Sequence, residues 1–117
     1  MWKTEPTSQW LKDLKWYEKK RPDELAAVLR NLKRYLGQLN AAPNPRAFMA
    51  GYIHAEPHGV FALDQKGGRP NLQETRLYVY PEEASKVLYL ITIGNKDEQP
   101  ADIQLSKDFA DSLRIIS

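Results

Sequence analysis

The sequence predicts an α+β domain in which a largely antiparallel sheet packs on a helical hairpin. Apolar residues recur at helical spacing between residues 7 and 39, alternate between residues 59 and 93, and return to helical spacing after Pro100. The predicted element order is β-α-α-β-β-β-α, and helices followed by hairpin-connected strands are typical of this class. A length of 117 residues fits a single domain spanning residues 1–117.

The first elements are a short strand and a helix. Trp2 to Glu5 reads as a strand that Pro6 ends. Thr7 or Ser8 can cap the following helix, because a hydroxyl oxygen accepts a hydrogen bond from a free amide of the first turn. Its predicted apolar face consists of Trp10, Leu11, Leu14 and Tyr17.

A second helix follows after a short basic connection. Pro22 is suited to the first helical position, and Asp23 and Glu24 lie at the positive end of the helix dipole. The short connection predicts an antiparallel helical hairpin over about residues 7–39. The stripe that predicts its buried face is Leu25, Val28, Leu29, Leu32, Leu36 and Leu39.

The proline-containing segment 40–58 is expected to be a loop, and the sheet is expected to occupy residues 59–93. The stretch 87–93 is apolar on both faces apart from Thr92, as in a central strand. A final helix is expected over residues 100–114, with Ile103, Leu105, Phe109 and Leu113 on its buried face. The three predicted sheet strands are Gly59–Gln65, Gln73–Tyr80 and Lys86–Ile93.

Composition limits the possible functions. The chain has no cysteine, which excludes disulfides, thiolate metal sites and cysteine nucleophiles. No apolar run approaches the ~18 residues that span a bilayer, and the first residues lack the apolar core of a signal peptide, so we expect a cytoplasmic protein without membrane contact. The net charge is +2, with residues 1–40 at +4 and residues 41–117 at −2. The basic first third fits either a nucleic acid or acidic partner or an ordinary solvated helical face.

The two histidines do not predict a metal site. His54 and His58 have a spacing that would place both rings on one face of a helix, but Pro57 argues against a helix there. The sequence contains no phosphate-binding loop and no dinucleotide fingerprint. We therefore expect no metal and no cofactor.

Alternation places Arg76, Tyr78 and Tyr80 on one face of a predicted strand, and Lys96 and Gln99 come just after the end of the next. Guanidinium and ammonium groups pair with phosphate oxygens, and tyrosine rings stack on bases, so this face could hold a phosphodiester. The alternative is a half-exposed strand that carries Arg and Tyr because of their β propensity.

The segment ETRLYVYPEEASKVLYLITIGNKDEQPADIQLSKDF, residues 74–109, resembles the C-terminal half of the RelE/ParE superfamily of type II toxin–antitoxin toxins. In both, an arginine-bearing strand leads through a hairpin to an apolar strand. That strand ends in a Gly-x-Lys-x-x-Gln turn before Asp-Ile opens a helix. The resemblance implies the strand–helix–helix–three strands–helix fold of that superfamily and a cognate antitoxin protein as partner.

The resemblance implies one of two activities: RelE-like members cleave mRNA on the ribosome, and ParE-like members inhibit DNA gyrase. In the ribonuclease interpretation, Arg76, Lys96 and Gln99 match catalytic positions, and His58 is a possible base. The residues expected to contact RNA are Lys66, Arg69, Tyr78 and Tyr80.

The sequence differs from active RelE-like members in three respects. A gyrase inhibitor, or a non-catalytic phage-derived or orphan member, therefore remains an alternative. The net charge is low, with Asp97 and Glu98 beside the turn lysine; residues 109–117 lack Tyr and His; and the loop 40–58 is long.

Overall fold

The computed structural model describes residues 1–41, 44, 49–67 and 70–116. Short 3₁₀ helices lie at Pro57–Gly59 and Lys96–Glu98. The remaining elements, in chain order, are β1 (Lys3–Pro6), α1 (Ser8–Lys20), α2 (Pro22–Ala41), β2 (Ile53–Ala55), β3 (Phe61–Leu63), β4 (Thr75–Glu82), β5 (Val87–Asn95) and α3 (Gln99–Ile116).

These elements form an α+β fold with a five-stranded mixed sheet in the order β1-β5-β4-β3-β2, which confirms the predicted class. β1 pairs with β5 in parallel, and the other neighbours pair antiparallel. The prediction of a loop over residues 40–58 was wrong in part, because β2 at Ile53–Ala55 adds an edge strand. The strand predicted at 59–65 is confined to Phe61–Leu63, whereas β4 continues two residues beyond Tyr80.

The larger hydrophobic core lies between the sheet and the α1–α2 hairpin. Trp10 and Tyr17 of α1 pack with Leu25, Val28, Leu32, Tyr35 and Leu39 of α2 against inward-facing residues of β4 and β5. Leu11 does not belong to this face, contrary to the prediction: its side chain is 48% exposed. Helical spacing alone did not distinguish Leu11 from its neighbours, and the sheet covers the side of α1 that carries Trp10 and Tyr17.

The opposite face of the sheet is covered by α3. Tyr78, Tyr80 and Ile91 form a second buried cluster with Ala110, and Phe109 and Leu113 pack against it. Leu105, predicted to be buried, is exposed, while Asp102 and Ser106 are buried in its place. The sheet is therefore enclosed between helices on both sides, and its second face is partly polar.

The start of α1 is attached to β5. The Thr7 hydroxyl oxygen accepts a hydrogen bond from the Trp10 amide at 3.1 Å, as the sequence predicted for a capping residue. The same hydroxyl donates to the carbonyl of Ile91 at 2.7 Å. One side chain therefore both caps the helix and fixes it against the central strand.

Among the described residues, no helix combines the length and the hydropathy needed to cross a bilayer.

Candidate functional site

The pairing of β4 with β5 brings the predicted catalytic positions to one end of the sheet. Arg76 lies opposite Gly94, and Thr75 lies opposite Asn95, the residue before the 3₁₀ turn. Lys96 begins that turn, and Gln99 follows it as the first residue of α3. We refer to Arg76, Lys96, Gln99 and the neighbouring Asp102 as the sheet-end site.

The 3₁₀ turn of this site is fixed by a reciprocal pair of hydrogen bonds. The Asn95 side-chain oxygen accepts from the Glu98 amide at 3.1 Å, and the Glu98 carboxylate accepts from the Asn95 amide at 3.1 Å. Glu98, one of the two acidic residues in the turn, therefore has a structural role. The side chain of Lys96 is exposed and makes no hydrogen bond or ion pair with the described residues.

The Arg76 guanidinium is not free. Its Nη2 and Nε donate to Oε1 of Glu74 at 3.0 and 3.3 Å, and its side chain is only 17% exposed. A phosphate approaching Arg76 must therefore replace or share the Glu74 carboxylate. Because Glu74 is more exposed than Arg76, the carboxylate is the partner better able to move away.

Asp102 is a site residue that the sequence did not reveal. It is 9% exposed, and its Oδ2 has no hydrogen-bond partner among the described residues. It fits only because residue 94 is glycine: a Cβ on Gly94 would lie 1.8 Å from Asp102 Oδ2. Burial, together with the negative charges of Glu98 and Asp13, raises the pKa of Asp102 from 3.8 to about 7.

Other buried polar groups lie between α3 and the sheet, on either side of Asp102. Gln99, Asp102 and Ser106 are spaced so that they share one face of α3. Gln99 Nε2, Ser106 Oγ and the Tyr78 hydroxyl are buried without a hydrogen-bond partner among the described residues. The interface therefore combines proton donors and acceptors with a carboxyl group that changes charge near neutral pH.

Tyr78 and Tyr80 do not have the exposure expected of RNA-contacting residues. Tyr78 is completely buried and Tyr80 nearly so, both under α3. Burial, with a contribution from Asp102, raises the pKa of Tyr78 well above its ordinary value. Alternation correctly placed both rings on the face opposite Leu77 and Val79, but a ring buried beneath a helix cannot stack on a base, so this prediction was wrong.

His58 is also far from the sheet-end site. Its Nδ1 lies 2.6 Å from Oδ1 of Asp111 on α3. Asp111 follows Gln99 by twelve residues, which corresponds to about 18 Å along the helix axis. The structure therefore does not place His58 as the base of this site. His54 pairs separately with Asp64, also at 2.6 Å.

Lys66 lies on the hairpin side of the molecule. It borders a cavity of about 230 Å³ with Arg34 and Tyr52, and the Arg34 guanidinium carbon lies 4.7 Å from the centroid of the Tyr52 ring. The Asn31 side chain of α2 holds the loop by donating to the Lys66 carbonyl at 3.0 Å. Arg69, the other predicted RNA-backbone contact, lies outside the described residues.

A larger cavity, about 410 Å³, opens between α1 and the end of β5, and we call it the α1 cavity. Asp13 connects its walls, because its Oδ2 accepts from the Thr92 hydroxyl at 2.7 Å and from the Ile93 amide at 2.9 Å. No signal in the sequence indicated this cavity, because Asp13 and its partners Thr92 and Ile93 are about 80 residues apart. The lining residues are Lys12, Asp13, Trp16, Tyr17, Ile93, Asn95 and Glu98.

A scan of protein-family models and a search of curated proteins found no match to this chain. Its function is therefore inferred from the geometry of the sheet-end site and from the resemblance of residues 74–109.

Proposed function

We propose that this protein is the toxin of a type II toxin–antitoxin system and cleaves mRNA on the ribosome in the manner of RelE-like ribonucleases. The observation that carries the proposal is the β4–β5 register, which sets Arg76 opposite Gly94 and thus beside the turn that holds Lys96. The resemblance of residues 74–109 supports the same assignment. The natural inhibitor is a cognate antitoxin protein, and the ribosomal target places the activity in the cytoplasm.

In this reaction the ribose 2′-hydroxyl attacks the adjacent phosphorus, the new O2′–P bond forms, and the P–O5′ bond breaks. The 2′-hydroxyl proton passes to a base, and the departing 5′-oxygen receives a proton. Arg76 stabilises the negative charge of the phosphorane, for which a guanidinium is suited by its fixed donors. Lys96, exposed on the turn, contacts a phosphate oxygen, whereas Gln99, whose Nε2 is buried, makes no direct contact with the phosphate.

The Glu74–Arg76 ion pair sets a condition on this activity. Arg76 contacts the phosphate only when Glu74 releases it, so the free protein holds its arginine in a neutralised pair. A phosphodiester carries the same charge as the carboxylate and offers two oxygens, and it can therefore replace Glu74 within the ribosomal complex. The neighbouring Asp102, with its pKa of about 7, is a nearby group whose protonation changes at physiological pH.

Inducible expression with mapping of RNA 5′ ends tests the proposal. Growth should stop, and new RNA ends should appear within translated codons. Arg76→Ala and Lys96→Ala should each restore growth while thermal unfolding and circular dichroism remain close to those of the wild type. The matched controls Arg30→Ala and Lys15→Ala remove exposed charges from the helical hairpin and should remain toxic.

A gyrase-directed toxin is the second candidate, and the surface of α1 favours it. Leu11 and Trp16 are 48% and 50% exposed on a helix that also carries Lys12, Lys15 and Lys19, as in a protein-binding surface. In that case messages stay intact, DNA damage appears, and Lys15→Ala relieves toxicity whereas Arg76→Ala does not. A chain that is not toxic at all would instead be an orphan interaction domain of the same fold.

A further inference from the structure

The α1 cavity combines negative charge with aromatic walls at a surface opening. Asp13 and Glu98 contribute two carboxylates, Trp16 and Tyr17 contribute two rings, and Lys12 contributes one ammonium group. We propose that this cavity binds a guanidinium group that a protein partner presents on an arginine side chain. The proposal goes beyond the ribonuclease function and does not depend on it.

The charges in the cavity are incompletely balanced. Within the described part of the chain, Asp13 accepts hydrogen bonds only from neutral groups: the Gln9 side-chain amide, the Thr92 hydroxyl and the Ile93 backbone amide. Glu98 accepts one from the Asn95 amide. Among the described residues, neither carboxylate has a Lys or Arg nitrogen within 4.0 Å.

Two neighbouring groups respond to this negative potential. Burial and then the charge of Glu98, with smaller contributions from Asp102 and Asp13, raise the pKa of Tyr17 to about 12. The carboxylates of Glu98 and Asp13 also help to raise the pKa of Asp102. A cation bound in the cavity would relieve this repulsion.

The aromatic walls favour a flat organic cation. The Trp16 and Tyr17 rings meet edge to face, with centroids 5.0 Å apart and an interplanar angle of 74°. Half of the Trp16 surface remains exposed at the opening, where a guanidinium can stack on the indole while its N–H groups reach a carboxylate. No three His, Asp or Glu side chains within the described ranges are grouped as metal ligands, which favours an organic cation over a metal ion.

The cavity suits a side chain of a protein better than a free small cation. Its volume of about 410 Å³ lies near the lower end of ligand pockets, and it is lined at the rim by a half-exposed tryptophan. A small cation would leave the exposed half of the Trp16 indole in contact with solvent. The backbone of a partner protein on either side of its arginine would shield this surface from water. Tryptophan surrounded by contacts that exclude water is a frequent centre of protein interfaces.

NMR titration of the ¹⁵N-labelled protein provides the test, with the Trp16 indole and the Asn95 amide as reporters. The probe is acetyl-Gly-Arg-Gly-amide, and its neutral match is the same peptide with citrulline. We expect saturable shifts confined to the lining residues, with binding of the citrulline peptide weaker by about fivefold or more. Equal binding of the two peptides, or no shifts at the lining, overturns the proposal. Agmatine binding as tightly as the peptide overturns the assignment to a protein side chain.

Variants give a second, directional readout. Glu98→Gln keeps an oxygen for the Asn95 amide and should weaken arginine-peptide binding by about fivefold. Lys12→Gln removes the opposing charge and should tighten binding by a similar factor. The control Glu18→Gln removes an exposed charge from α1 outside the cavity and should leave affinity unchanged. Failure of the ribonuclease assay leaves these results unaffected, and equal affinity in all four proteins contradicts the proposal.

Discussion

At the residue scale, Asp102 lies close against Gly94, where α3 packs on β5. The glycine leaves space on β5 for a carboxyl group from the first turns of the helix. The carboxyl is buried and close to two other acids, so it is held in its neutral form below about pH 7. A single small residue thus permits a titratable group at the sheet-end site.

Substituting Gly94 with alanine should destabilise the protein by about 1–3 kcal/mol, because the new Cβ would lie 1.8 Å from Asp102 Oδ2. Chemical denaturation gives the free energy of unfolding. In an Asp102→Ala background the same change should cost less than about 1 kcal/mol, since the clashing atoms are gone. Gly37→Ala is the control: nothing lies within 4 Å of its added Cβ, and it should stabilise α2 by about 0.5–1 kcal/mol. Equal penalties in both backgrounds would refute the contact.

Replacing Asp102 with asparagine should change how stability depends on pH. A pKa raised from 3.8 to about 7 means that the folded protein binds the proton more tightly than the unfolded chain does. Stability from the neutral carboxyl is therefore complete below pH ~4 and lost as pH rises to about 7. The asparagine variant should match the wild type near pH 4 and exceed it by roughly 2–4 kcal/mol at pH 8. Denaturation curves at five pH values would measure this, and a constant difference would contradict it.

The sequence predicted the part of the site that depends on local structure, and it missed the part that depends on contacts between distant residues. Arg76, Lys96 and Gln99 were predicted to lie near one another because a hairpin register is a local property. Asp102 was missed, because an acidic residue in the first turn of a helix ordinarily faces solvent at the dipole. Its burial depends on its close approach to Gly94 of β5, which no periodic pattern encodes.

At the scale of elements, α1 is held against the central strand by polar contacts at two points. Thr7 donates to the Ile91 carbonyl, and Asp13, almost two turns further along the helix, accepts from the Ile93 amide. The capping role of Thr7 followed from sequence because it is local, whereas its bond to β5 spans 84 residues and did not.

Thr7→Val should destabilise the protein by about 1–2 kcal/mol, because valine keeps the shape but loses both the cap and the bond to Ile91. Hydrogen exchange should show the largest loss of protection in the first turn of α1. Thr4→Val, an exposed position on β1, serves as the control and should lie within about 0.5 kcal/mol of the wild type. Similar effects of the two substitutions would show that the contact contributes nothing.

Two elements differed from their predictions for identifiable reasons. β2 has three residues within a proline-containing stretch, too short for alternation to be recognised. The prediction assigned the wrong residues to part of the buried face of α3. Apolar periodicity favoured Leu105, whereas the structure buries Asp102 and Ser106. A helix that packs on a partly polar surface does not show its orientation in an apolar stripe.

At the scale of the whole molecule, helices cover both faces of the sheet, and this determines where a substrate can bind. The α1–α2 hairpin fills one side, and α3 fills the other over Tyr78 and Tyr80. The α+β class was predictable because the change of periodicity is strong, but the covering of the second face was not. Under the proposed function, RNA would therefore approach the catalytic groups at the sheet end, where Lys96 is exposed and Arg76 is paired with Glu74.

The most direct test is a single-turnover assay with purified protein, stalled ribosomes and end-labelled mRNA. The wild type should cut the message only when ribosomes are present, and Arg76→Ala should be slower by about 100-fold. Glu74→Gln should cleave at least as fast as the wild type, because it releases the guanidinium without removing it. No ribosome-dependent cleavage by the wild type, or an unchanged rate for Arg76→Ala, would contradict the proposed ribonuclease.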